Sequence, residues 1–128
     1  MNKFNQEYQK LNPEQKQAVD TIEGPVMVIA GAGTGKTQTI ALRIANILDK
    51  TDTKPTSVLC LTYTDVAANN MRSRLLDMIG PDAYKIKICT FHAFCNDIIS
   101  SNSQYFPFAS SNLKAIDDLE TIEIIKKI

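Results

Sequence analysis

Residues 25–37 read Pro25-Val26-Met27-Val28-Ile29-Ala30-Gly31-Ala32-Gly33-Thr34-Gly35-Lys36-Thr37, and the fold turns on them. The first five are apolar and rich in β-branched side chains, the composition of a short buried strand. From residue 39 to residue 48 the apolar positions Ile40, Ile44, Ile47 and Leu48 follow a helical spacing. Strand, glycine-rich turn and helix form the setting in which G-x-x-x-x-G-K-[ST] is a phosphate-binding loop. Glycines 31, 33 and 35 let the backbone curl so that successive N–H groups point into one concavity, and the helix start adds its positive dipole end. Lys36 is expected to reach the β- and γ-phosphates of a nucleoside triphosphate, and the Thr37 hydroxyl to ligate Mg²⁺. Expected nucleotide contacts run through Ala30, Gly31, Ala32, Gly33, Thr34, Gly35, Lys36 and Thr37, and on to Gln38. The pattern departs only at its first position, where Ala30 replaces glycine. A glycine-rich turn with an incidental Lys-Thr is the competing reading, and the flanking elements argue against it.

The chain has 128 residues and is 44% hydrophobic, enough for one modest core in a single domain. Its 14 basic and 14 acidic side chains cancel, so attraction to nucleic acid has to come from a local surface. Cys60, Cys89 and Cys95 lie in or beside apolar runs at spacings that suit neither a disulfide framework nor a zinc site. They read as reduced core thiols of a cytoplasmic protein. Residues 1–10 are polar and no apolar run is long enough to span a bilayer, so neither secretion nor membrane insertion is expected.

Asn12-Pro13-Glu14 opens a helix with Leu11, Ala18, Val19 and Ile22 on its apolar side, stopped at Gly24-Pro25. After the loop and its helix, residues 49–56 are a polar connection. Residues 57–63 (Ser-Val-Leu-Cys-Leu-Thr-Tyr) read as a second strand. Residues 65–79 return to helical period through Ala67, Met71, Leu75 and Ile79, ended by Gly80-Pro81. Residues 85–90 alternate as a third strand with one polar face. A helix is expected over 91–99, a loop over 100–112 and a last amphipathic helix over 116–128. Strands alternating with helices imply an α/β fold with a parallel sheet.

No apolar strand ending in Asp or Asp-Glu follows, because the one acidic pair, Asp117-Asp118, opens a helix. Phosphoryl transfer needs such a carboxylate to hold Mg²⁺ and orient water. The expectation is therefore a piece of a larger enzyme, without ATPase activity of its own. Its uncovered strands are expected to drive self-association.

Three further segments sit in register with the loop: Leu11-Asn12-Pro13-Glu14-Gln15; Leu61-Thr62-Tyr63-Thr64, followed by Ala67-Ala68 and Met71-Arg72; and Cys89-Thr90-Phe91-His92-Ala93-Phe94-Cys95. Together they resemble the amino-terminal part of the UvrD/Rep-type superfamily 1 DNA helicases, in the order Q motif, motif I, motif Ia, motif Ib, over about residues 11–100. The resemblance implies an incomplete RecA-like domain of the P-loop NTPase class, a parallel sheet flanked by helices, with 101–128 starting an inserted helical subdomain. It implies ATP and Mg²⁺ as cofactors and 3′–5′ translocation on single-stranded DNA by the intact enzyme. Gln15 matches the residue that recognises adenine, and a carboxamide offers the donor and acceptor that adenine's N6 and N7 edge needs. Tyr63 matches the DNA-contacting aromatic, usually Phe in the family, and keeps a stacking face. Thr64, Thr90 and His92 follow the strands' carboxyl ends, where ligands of open α/β sheets collect, and would donate to DNA phosphates. Gln38 stands where the family often has Arg, and Asp65-Val66 where it has Asn-Lys, so positive charge is lost. The other readings are a small-molecule or nucleotide kinase, which needs arginines for its acceptor and lid, and a non-catalytic ATP-binding module.

Overall fold

Asn12-Pro13-Glu14-Gln15 starts a helix by local chemistry alone. The Asn12 side chain accepts from the Gln15 backbone N–H at 2.8 Å, and the Gln15 side chain accepts from the Asn12 N–H at 3.0 Å. This reciprocal box satisfies two donors of the first turn, while Pro13 gives up no helical bond and Glu14 complements the dipole. The computed structural model describes residues 3–106 and 125–126, in two units, Met1–Phe91 and His92–Ile128. The first unit contains α1 (Lys3–Gln9), α2 (Pro13–Asp20), α3 (Lys36–Lys50), β1 (Leu59–Thr62), α4 (Asp65–Ile79) and β2 (Lys87–Thr90). Short 3₁₀ turns lie at Pro55–Ser57 and Gly80–Lys85. α5 (Phe91–Ser101) starts at the boundary and leads to a 3₁₀ turn at Ser103–Tyr105.

β1 and β2 pair in parallel, Leu59 opposite Lys87 and Thr62 opposite Thr90. A parallel pair needs a crossover, and α4 supplies it. The chain is thus an incomplete α/β unit: helices with a two-stranded parallel sheet. α2, α3, α4 and the sheet share one core, in which Val19, Leu42, Leu75 and Ile86 are fully or almost fully buried. Burying each such side chain contributes roughly 1.5–3 kcal/mol. Two arginines tie elements together through backbone carbonyls. Arg43 of α3 donates to Ala18 O at 2.6 Å, to Thr21 O and to Ile22 O at 3.4 Å, covering the open carboxyl end of α2. Arg72 of α4 donates to Ala83 O at 3.1 Å and Ile88 O at 3.4 Å.

The largest correction concerns residues 25–29, expected as the first strand. They form no strand and have no ladder partner among the described residues. Met27 is 85% and Ile29 88% exposed. β-branched composition suits a pleated surface, yet a strand exists only where another strand pairs with it.

Smaller corrections follow from packing. α2 ends at Asp20 rather than at Gly24, capped by Thr21, whose N–H and hydroxyl both donate to Gln17 O. Ile40, counted on the buried face of its helix, is exposed; the close-packed residues are Ala41, Leu42 and Ala45. Helix 65–79 is present with those bounds, but its buried stripe runs through Ala68, Met71, Leu75 and Met78 rather than Ala67 and Ile79. The polar amino terminus forms α1. Burial raises the Cys60 thiol pKa, consistent with an inert core thiol, but Cys95 is exposed. Residues 100 and 101 are still in α5, where a loop was expected. The expected helix over 116–128 lies, except for residues 125–126, outside the described residues. No helix among the described residues is long and apolar enough to cross a membrane.

Candidate functional site

The glycine loop and α3 start are positioned by backbone chemistry that the sequence demands. Gly33 (φ 74°) and Gly35 (φ 80°) are left-handed, a conformation open to glycine without a Cβ penalty. Gly35 is the N-cap of α3. The Thr34 hydroxyl donates to Gly31 O at 2.8 Å and closes the turn. Lys36 folds back over this turn, its Nζ donating to Ala30 O at 3.2 Å and to Gly31 O. Residues 31–37 are all exposed, and the loop lies at the positive end of a 15-residue helix.

Gln15 lies against this loop. Its Nε2 donates to Thr34 O at 2.8 Å, which brings the expected base-reading residue and the expected phosphate loop together. Gln38, by contrast, turns away from the loop. Its Oε1 accepts from Arg74 of α4, and its Nε2 donates to Glu7 Oε2 of α1 at 3.3 Å. Lys10 donates to Glu7 at 2.7 Å and, with Lys3, holds that carboxyl below its usual pKa. Arg74 thus places a guanidinium beside the first turn of α3.

The four expected DNA contacts differ in setting. Tyr63, directly after β1, is 89% exposed. Its ring sits 5.5 Å from Phe91, tilted by 42°; Phe91 is an aromatic that sequence reasoning left out of the site. Thr64 caps α4, its Oγ1 accepting from Ala67 N at 3.1 Å, and the neighbouring Asp65 then sits in the first turn, where the dipole favours a negative charge. Thr90 is buried at the end of β2. His92 is exposed and belongs to the second unit.

The family model of the UvrD/REP helicase N-terminal domain matches residues 11–128. The chain belongs to the UvrD/Rep helicase family. It is 36% identical over 118 residues to the ATP-dependent DNA helicase PcrA of Staphylococcus epidermidis, and 37% identical over the same length to the protein of that name from Staphylococcus aureus. Each comparison covers 92% of this chain and 16% of the relative. This UvrD/Rep-family chain therefore spans about a sixth of the length of the curated relatives it matches. Two features of the site had no sequence signal: the Gln15–Thr34 contact and the Arg74–Gln38 contact. They span 19 and 36 residues, distances at which no spacing rule operates.

Proposed function

We propose that this chain is the ATP-binding part of a DNA helicase that couples ATP hydrolysis to 3′–5′ translocation on single-stranded DNA and to duplex unwinding. The observation that carries the reading is the glycine-kinked loop opening α3, with Lys36 folded over it and Gln15 against it, in a chain of the UvrD/Rep family. In this P-loop, RecA-like reading residues 30–38 cradle the triphosphate, Lys36 neutralises charge on its terminal phosphates and Gln15 meets adenine. Loop N–H groups and an ammonium suit a polyphosphate. Thr37 would hold Mg²⁺ together with phosphate oxygens and water, since the described residues contain no cluster of three His, Cys, Asp or Glu side chains. The proposal includes a cytoplasmic location, and residues 101–128 as the start of an inserted helical subdomain.

The kinase alternative fits less well. All three arginines are engaged: Arg43 and Arg72 on backbone carbonyls, Arg74 on Gln38, which leaves none for an acceptor or a lid. A non-catalytic ATP-binding module describes the chain by itself, and no hydrolysis above background is expected from it. Titration with a fluorescent ATP analogue tests the nucleotide site. Displacement by both ATP and inorganic triphosphate is expected, and binding that triphosphate fails to displace would overturn it.

For the DNA half of the reading, Tyr63 offers a stacking face. In a protein of the relatives' length, Tyr63→Ala is expected to weaken binding of an oligothymidylate by roughly 1–3 kcal/mol. Unchanged fluorescence anisotropy titrations would remove Tyr63 from the DNA site. Self-association belongs to the proposal as well: the exposed apolar run at residues 26–29 is a surface that a second copy would cover. Light scattering is expected to give at least twice the chain mass, and a monomer would refute it.

A further inference from the structure

The geometry points to Gln15 as a positioning residue that aims the phosphate loop, through the Thr34–Gly35 peptide, before any ligand arrives. This rests on the nucleotide-site reading and adds to it a task that does not involve the base. The Gln15 carboxamide is held at both ends. Its Oε1 accepts from the Asn12 N–H at 3.0 Å inside the capping box, and its Nε2 donates to Thr34 O at 2.8 Å. The capping box fixes where the side chain starts, so the amide reaches the loop from an anchored base.

The consequence follows from peptide planarity. In a trans peptide the C=O and the N–H point in opposite directions, and the described residues contain no cis bond. Holding the Thr34 carbonyl toward α2 therefore turns the Gly35 N–H away from α2. That N–H lies at the α3 start, among the donors that a helix leaves without internal partners. A Cβ at Gly35, already disfavoured by its φ of 80°, would sit 3.3 Å from Gln15 Nε2 and press the carboxamide to shift by a few tenths of an ångström. The Arg43 contacts to the carboxyl end of α2 hold the helix that carries Gln15 against α3. One carboxamide thus links the α2 cap to the orientation of a loop donor.

The test separates aiming the loop from reading the base by using a ligand without a base. In Gln15→Met, a neutral side chain of similar length, the link to Thr34 is lost. Affinity for inorganic triphosphate is expected to fall roughly two- to tenfold, the range for one neutral hydrogen bond. The NMR order parameter of the Gly35 N–H in the ligand-free chain is expected to fall. Gln15→Glu keeps the acceptor for the Asn12 N–H and loses the donor to Thr34, so it should lower the Gly35 order parameter with α2 intact. If Gln15→Met weakens ATP alone, with triphosphate affinity and the Gly35 order parameter unchanged, Gln15 reads only the base and the inference is overturned. If the unaltered chain binds no triphosphate, the nucleotide-site reading fails. The Gly35 order parameter then still decides whether Gln15 holds the loop.

Discussion

Lys36→Ala should reduce ATP turnover by a protein of the relatives' length by roughly 10²–10³-fold, about 2.7–4 kcal/mol of lost stabilisation of developing charge. The ammonium already lies over the loop, on the carbonyls of Ala30 and Gly31. Reaching a terminal phosphate requires exchange of those partners and no rearrangement of α3. Alanine leaves the glycine kinks and the α3 start in place, so ATP binding should weaken less than turnover falls, because backbone N–H groups remain for the phosphates. Steady-state ATPase with single-stranded DNA present is the measurement. Activity within a few-fold of the unaltered protein would remove Lys36 from the role assigned to it.

Leu75→Ala should have the largest effect on stability. Leu75 is fully buried on α4 in the shared core, where truncation of leucine costs about 2–5 kcal/mol. Small domains bury little surface and sit near the bottom of the usual range of roughly 5–15 kcal/mol. The loss is therefore comparable to the whole stability, and the cooperative thermal transition should vanish at ordinary temperature. Leu75→Met, which nearly conserves volume, should cost less than about 1.5 kcal/mol and keep it. Circular dichroism melts of the two variants decide the matter. A cooperative melt of Leu75→Ala close to that of the parent would show that α4 does not seat the core.

Some of the site was legible because its causes are local. A reader of Asn12-Pro13-Glu14 can place the start of α2, and the alternation in residues 85–90 leads to β2, because caps and strand periods act within a few residues. The glycine loop is of the same kind. Burial faces were less legible. Ile40 outranks Ala41 and Ala45 in hydrophobicity, yet it is exposed while both alanines are buried beside Leu42 and Ile44, because the face of α3 that meets the core is set by what packs against it and not by side-chain hydrophobicity. The DNA residues were harder still. Tyr63 follows β1 directly and Thr90 ends the neighbouring β2, but one is 89% exposed and the other buried, a difference set by what packs around each strand end.

The sequence by itself determined the features that need only neighbouring residues: the capping box at Asn12 and Gln15, the left-handed turns at Gly33 and Gly35, the bounds of α4, and membership of the UvrD/Rep family. Tertiary structure alone decided that residues 25–29 form no strand, that Arg74 meets Gln38, and that Gln15 holds the Thr34 carbonyl. The physical division is one of range. A cap or a positive φ is satisfied by atoms within about one turn of chain, whereas a ladder bond or a side-chain bridge needs a partner that only folding brings near.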